Sequence, residues 1–396
     1  MIAKSMEPFL VGASVIRAMF EEGKKMAEVY GAENVYDYSV GNPGLHPPKE
    51  VHDAIDYINN NLDPHMVHGY MPNAGYDSTR EAVAANLNKR FGAHFSKDNI
   101  IMTVGAGSAI NVLMKTIFDP GDKQIVFAPY FVEYANWAKN YNAETVVVPP
   151  NEANGFEPDP QELEKALSKD VKAVIINNPN NPTGAIYSEE TIKGIADVLK
   201  EAEKEYGHPI YIIADEPYRE LVYTDQIVPY IPDYYDNTII AYSWSKSLSL
   251  AGERIGYVAV PNESDNAEEF IGAAIVANRV CGDTNAPSLM QLVVERCIDA
   301  QVDVPYYKKN AQELYKIVTD AGFTAVKPQG AFYLWVKSPD ADEKKFVAAA
   351  KEEHILIVPG SAFKCPGYVR LSFCIANETI RRSADAFARL GKKYFG

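Results

Sequence analysis

Between residues 99 and 260, short β-branched runs alternate with helical patterns, and this alternation restricts the chain to one broad architecture. The runs fall at 99–104, 124–128, 144–148, 171–177, 210–214, 238–242 and 255–260. Strands separated by helices build a mostly parallel sheet covered on both faces. The unbroken apolar stretches at 173–176 and 211–214 suit strands buried on both sides. Ligands of such sheets collect at the carboxyl ends of the strands.

Helix signals between the runs support this reading. Asp159 precedes Pro160, Gln161 and Glu162, an acid cap followed by proline at the first helical position. Ser188 opens a second helix with Glu189 and Glu190 in its first turn, Ile192, Ile195, Val198 and Leu199 on one face, and Gly207 as its stop. The tail reads differently. Helical patterns cover about 286–322, strands follow at 330–336, 355–359 and 368–374, and a closing helix starts at Glu378 with Asn377 as its cap. This predicts a smaller α+β unit from residues 1–45 and 286–396, beside a large unit at 46–285.

Composition narrows the function classes. Of 396 residues, 47% are hydrophobic and 23% charged, the balance of a globular chain. The net charge of −15 argues against phosphate-backbone partners and anionic membranes, and so against nucleic acid. Cys281, Cys297, Cys365 and Cys374 have no metal-like spacing and suit reduced thiols in a cytoplasmic protein. No apolar stretch reaches the roughly 18 residues of a membrane span. The short patch at 9–16 runs into Glu21, Glu22, Lys24 and Lys25 and reads as the start of an amphipathic helix rather than a signal peptide. His65 and His68 lack a third ligand, so no metal is expected.

Three strand ends carry polar clusters. Asn177-Asn178-Pro179-Asn180-Asn181-Pro182-Thr183-Gly184 follows the run at 171–176, and Asp215-Glu216-Pro217-Tyr218 follows that at 210–214. Ser243-Trp244-Ser245-Lys246 follows that at 238–242, with Arg254 eight residues beyond the lysine. Each alone has an ordinary explanation: a turn, a helix cap, a solvated lysine. Their succession at the ends of neighbouring strands does not.

In this combination the chain resembles the class I/II aminotransferases, pyridoxal-phosphate enzymes of fold type I, from about Tyr38 to Ser372. The resemblance implies a seven-stranded, mostly parallel large domain, a smaller domain from both termini, and a homodimer with shared sites. It implies pyridoxal 5′-phosphate as cofactor and transfer of an amino group between an L-amino acid and a 2-oxo acid through a Schiff base at Lys246. Such an amine needs a lowered pKa, which burial or the nearby Arg254 can provide.

The resemblance places Asp215 beneath the pyridine nitrogen and has Tyr218 and Asn181 donate to the ring's phenolic oxygen. Ala106 and Gly107 would cradle the phosphate with Ser243 and Arg254, at the start of a helix expected over 109–117. The run Gly105-Ala106-Gly107-Ser108 is no dinucleotide fingerprint, because Ile110 stands where glycine or alanine is needed. Phe131 would stack on the ring. Tyr70, in Gly69-Tyr70-Met71-Pro72, would reach the phosphate of the other subunit. Arg370 would bind the substrate α-carboxylate, with Gly41 offering a backbone amide to the same group.

The donor is left open. One branch of the family binds a distal carboxylate with a lysine where this chain has Gly107. Another uses an arginine from the partner subunit, and Arg279 lies near that place. Aspartate with 2-oxoglutarate therefore stands beside an aromatic or neutral donor. A C–S lyase on the same fold would use the same residues. A DNA-binding regulator on this fold is disfavoured by the acidic balance.

Overall fold

The computed structural model describes residues 2–7, 9 and 15–396. The apolar patch expected to open the N-terminal helix falls largely on residues 10–14, outside the described residues. The helix described there runs Val15–Tyr30.

Thirteen strands occur among the described residues: β1 Tyr36–Asp37, β2 Ile100–Thr103, β3 Lys123–Phe127, β4 Glu144–Val148, β5 Val171–Asn177, β6 Tyr211–Asp215, β7 Thr238–Ser243, β8 Gly256–Ala259, β9 Ala325–Val326, β10 Tyr333–Lys337, β11 Ile355–Leu356, β12 Val358–Pro359 and β13 Tyr368–Ser372. Seven form one sheet in the order β2-β8-β7-β6-β5-β3-β4. Only β8 runs antiparallel to its neighbours. The expected α/β class and its seven-stranded, mostly parallel sheet are therefore present.

Alternate residues of the central strands feed opposite layers. Val174, Ile176, Ile212 and Ala214 pack under the helix Glu189–Tyr206 through Ile192, Ile195 and Leu199. Ala173, Ile175, Ile213 and Ile239 pack on the other side, against Leu113 of the helix Gly105–Ile117. Strands buried on both faces explain the unbroken apolar runs. The caps behave as their chemistry requires. Asp159 accepts from the amide of Gln161 at 2.9 Å, Ser188 accepts from Thr191, and Gly207 ends its helix at a φ of +73°. Asp159→Ala should cost about 1 kcal/mol of stability, read as a lower urea midpoint with an unchanged slope.

The register sets the strand ends side by side. Asn177 pairs with Asp215 across β5–β6, Asp215 with Ala241 across β6–β7, and Ser243 with Gly256 across β7–β8. The second, four-stranded sheet has the order β12-β13-β10-β9. Its core joins Leu314, Phe332, Phe346 and Phe387 to Tyr38 from the N-terminal region. The Tyr38 hydroxyl lies 2.7 Å from Ser383 Oγ, and β1 pairs with β11.

Four expectations are corrected. The helix expected over 109–117 begins at Gly105, where the positive φ of glycine (+78°) lets the chain turn straight from strand into helix. The helical stretch at 286–322 is two helices, Ser288–Arg296 and Val304–Asp320, the second capped by Asp303 with proline in its first turn. The run at 355–359 divides between two sheets, because β11 pairs with β1 and β12 with β13. Asn377 is the first residue of its helix, not the cap, since its side chain is drawn to Asn310 and Glu313 instead.

Candidate active site

The three strand ends open into one cavity of about 330 Å³. At the end of β7, Ser243 caps the short helix Trp244–Ser247, its Oγ accepting from the Ser245 amide at 3.1 Å. This turn carries Lys246 into the cavity, where Nζ donates to the Gly41 carbonyl at 2.7 Å. Burial pulls the lysine pKa down to about 8. Arg370 and Arg254 act in the same direction and Cys374 opposes them. The lowered pKa favours the neutral amine, the state a nucleophile requires.

Asp215 ends β6 and is only 6% exposed. Its Oδ2 accepts from the Tyr134 hydroxyl and, at 3.4 Å, from Asn177 Nδ2. Its Oδ1 is buried with no hydrogen-bond partner. Burial pushes this carboxyl up to about 7, the Tyr134 donor pulls it back, and Glu216 adds a further rise. A buried acceptor without a donor is costly, so this atom marks a place for a donor the protein does not supply.

The hydroxyls of Tyr218 and Tyr333, which also line the cavity, lie 2.9 Å apart. Arg370, on β13, is 2% exposed. It donates to Asn181 Oδ1 at 3.0 Å and to the Ser39 carbonyl at 2.7 Å, and lies over the Tyr333 and Phe363 rings. Its Nε is buried and unpartnered, and burial lowers its pKa. Its hydrogen-bond partners are neutral, and no salt bridge to it occurs among the described residues. A buried cation held only by neutral acceptors suits an incoming carboxylate.

The helix Gly105–Ile117 contributes Ala106, Gly107 and Ile110 to the cavity lining. Its first amides, at Ala106 and Gly107, precede any intrahelical partner and line the cavity with Ser243 and Arg254. Arg254 has a φ of +56° and lies so close to Gly105 that a Cβ there would come within 3.0 Å of its guanidinium. Helix-end amides, a hydroxyl and a guanidinium facing one space could together hold an anion.

Of the residues singled out from the sequence, Gly41, Ala106, Gly107, Phe131, Asn181, Asp215, Tyr218, Ser243, Lys246, Arg254 and Arg370 share this cavity. Gly41 lies against Tyr333, where any Cβ would collide with the phenol. Tyr70 is 95% exposed and lines none of it, and Arg279 is exposed at the end of the helix Ala267–Val280. Tyr134, Tyr333 and Trp137 also line the cavity and were not assigned from sequence. Tyr134 lies three residues after Phe131, in the helix Glu133–Lys139 that Phe131 precedes. Nothing local marked Tyr333. No cluster of histidine, cysteine and carboxylates suits a metal among the described residues.

Comparisons with known proteins agree on the kind of protein. The family described as Aminotransferase class I and II matches residues 32–387. An aspartate aminotransferase of Pyrococcus horikoshii is 33% identical over 98% of this chain and 96% of its own length. A probable N-acetyl-LL-diaminopimelate aminotransferase of Bacillus subtilis is 32% identical over 89% of this chain and 88% of its own. Among solved structures, an aminotransferase from Eubacterium rectale is 44% identical with a TM-score of 0.97, covering 100% of both chains. An aspartate aminotransferase from Thermus thermophilus with maleate is 26% identical with a TM-score of 0.86, over 98% of this chain and 99% of its own.

Proposed function

The chain belongs to the class I and II aminotransferases and depends on pyridoxal 5′-phosphate; from that premise we propose the roles of its residues, its donor and its assembly. One observation carries the proposal: a buried amine, an unpartnered carboxylate oxygen and a buried arginine without an acid face one cavity. The cofactor fits these residues. Lys246 can hold its aldehyde, Oδ1 of Asp215 can accept from its ring nitrogen, and the anion cup at Ala106, Gly107, Ser243 and Arg254 can hold its phosphate.

When bound, the cofactor supplies an aldehyde that condenses with amines and a ring that accepts the electrons released when the substrate Cα–H bond breaks. Asp215, as carboxylate, would keep the ring nitrogen protonated. Tyr218 and Asn181 would donate to the ring's phenolic oxygen, and Phe131 would pack on its face. Arg370 and the Gly41 amide orient the substrate carboxylate, which leaves Cα–H within reach of Lys246. Lys246 Nζ, as a neutral amine, would take and carry that proton. Because its pKa is about 8, the rate of cofactor loading should rise through pH 8 and level off above it. Stopped-flow absorbance with the cofactor-free chain checks this, and a pH-independent rate would contradict it.

The donor proposed is aspartate, with 2-oxoglutarate as acceptor. The aspartate aminotransferases among the relatives support this, as does Arg279, exposed and outside its own cavity. We place Arg279 and Tyr70 in the site of a second copy, so the active form is a homodimer. The four free cysteines support a cytoplasmic setting. The proposed domain division is 46–285 against 1–45 with 286–396, and the β1–β11 pairing supports it.

The test is a half-reaction screen. Holoenzyme is mixed with single amino acids, and loss of the aldehyde form of the cofactor is followed by absorbance. Aspartate should react fastest. Arg279→Ala should cut kcat/KM for aspartate by about 10²-fold while leaving phenylalanine unaffected, the scale of a lost ion pair to substrate. Equal losses for both donors would remove Arg279 from the site. Pyruvate and ammonia from one amino acid alone would show lyase chemistry instead.

A further inference from the structure

Asp215 sits in a position that its own strand does not explain. A carboxylate at the end of a buried strand can turn either oxygen toward the cavity and can pick up a proton to relieve its burial. Here both freedoms are restricted from one side. Tyr134 donates its hydroxyl to Oδ2, and Asn177 approaches the same oxygen while also donating to the Asp215 backbone carbonyl at 3.0 Å. Oδ1 alone is left without a partner.

Tyr134 is itself firmly placed. It is buried in the helix Glu133–Lys139, and its ring packs edge-on against Phe131 and Trp137, with centroids at 5.6 and 6.1 Å. Its backbone carbonyl accepts from the buried Gln124 side chain at 2.9 Å. Burial and the Asp215 charge raise its phenol well above the usual value, so it remains a donor at every working pH.

We propose that Tyr134 is a positioning residue, its hydroxyl fixing Oδ2 of Asp215 so that the carboxylate stays ionised and presents Oδ1 to the cofactor's ring nitrogen. The proposal rests on the reading of this cavity as the cofactor site. Tyr134 acts one step back, through Asp215.

The other charged or titratable groups around Asp215 do not substitute for Tyr134. Glu216 repels the carboxylate, and its own charge is taken up by Arg219 at 2.5 Å. Tyr218 is turned to Tyr333, and Tyr187 takes a hydrogen bond from Asn180 at 2.9 Å. Lys246 is held by the Gly41 carbonyl and Arg254 by the Ala251 carbonyl. Among the described residues, Tyr134 supplies the one hydroxyl donor to this carboxylate.

The test is Tyr134→Phe in the full chain, with two readouts. The first is the pH profile of kcat for the holoenzyme. The second is the pH dependence of pyridoxal 5′-phosphate affinity, followed by fluorescence without substrate. With the donor gone, Asp215 should hold its proton to higher pH. The acid limb of both curves should move up by about one to two pH units, the scale of one hydrogen bond to a charge. KM for the amino donor should stay within about twofold, since Tyr134 does not touch it.

In an Asp215→Asn background the same change should move neither limb. Incorporating 3-fluorotyrosine at Tyr134, a stronger donor of nearly the same shape, should move the limbs to lower pH. Structural damage would not produce that opposite sign, so this variant decides the matter if Tyr134→Phe folds poorly. Limbs that stay in place, or a loss equal at every pH, would overturn the proposal. Absence of cofactor binding by the wild-type chain would instead overturn the reading beneath it.

Discussion

Lys246→Ala should lose turnover by at least about 10³-fold, because both the covalent hold on the cofactor and the proton carrier disappear together. Borohydride treatment of the cofactor-loaded wild type should leave a reduced adduct on the peptide containing Lys246, and none in the variant. The fold should survive. The lysine makes one hydrogen bond, to the Gly41 carbonyl, and a buried amine pulled down to about 8 is being held against its preference for water. The unfolding midpoint should therefore stay level or rise slightly while activity vanishes. A variant that keeps near-normal turnover, or an adduct on another lysine, would sink the assignment.

Arg370→Leu should produce the second large effect, a loss of about 10²–10³-fold in kcat/KM for every amino donor. This is the range expected when one partner of a buried charge pair is truncated. The loss should be common to all donors because every one carries an α-carboxylate. That separates Arg370 from Arg279, whose removal should discriminate among them. Arg370→Lys should recover little. The guanidinium reaches Asn181 and Ser39 at once from two nitrogens, with Nε still free, and a single ammonium cannot reproduce that fork. Steady-state kinetics with two unlike donors measures both statements. A loss confined to one donor would place Arg370 on the side chain rather than the carboxylate.

Much of the site could be read because its residues lie next to the local signals that end strands. Asn181, Asp215, Ser243 and Lys246 each follow a β-branched run within a few residues, and Gly105–Gly107 open a helix directly after a strand. Polar residues placed there face the carboxyl end of the sheet whatever the rest of the chain does. Arg370 was named by the resemblance, and its burial on β13 without an acid partner came from the structure. Tyr70 and Arg279 are exposed in the single chain, and their roles rest on resemblance and on a second copy.

Other features depended on distant partners. Tyr134 meets Asp215 across 81 positions, Tyr218 meets Tyr333 across 115, and Asn181 meets Arg370 across 189. The pattern at 355–359 read as one strand, and only its two different neighbours divided it.

Alone, the sequence determined the layered α/β architecture, the helix caps at Asp159 and Ser188 and the order of the three polar strand ends. Those follow from periodicity and backbone chemistry acting over a few residues. Tertiary structure decided which oxygen of Asp215 is left free, which hydroxyl holds the other, and why Lys246 is pulled down to about 8. These depend on how much water is excluded and which side chains meet across the chain, and burial exists only once the layers have packed.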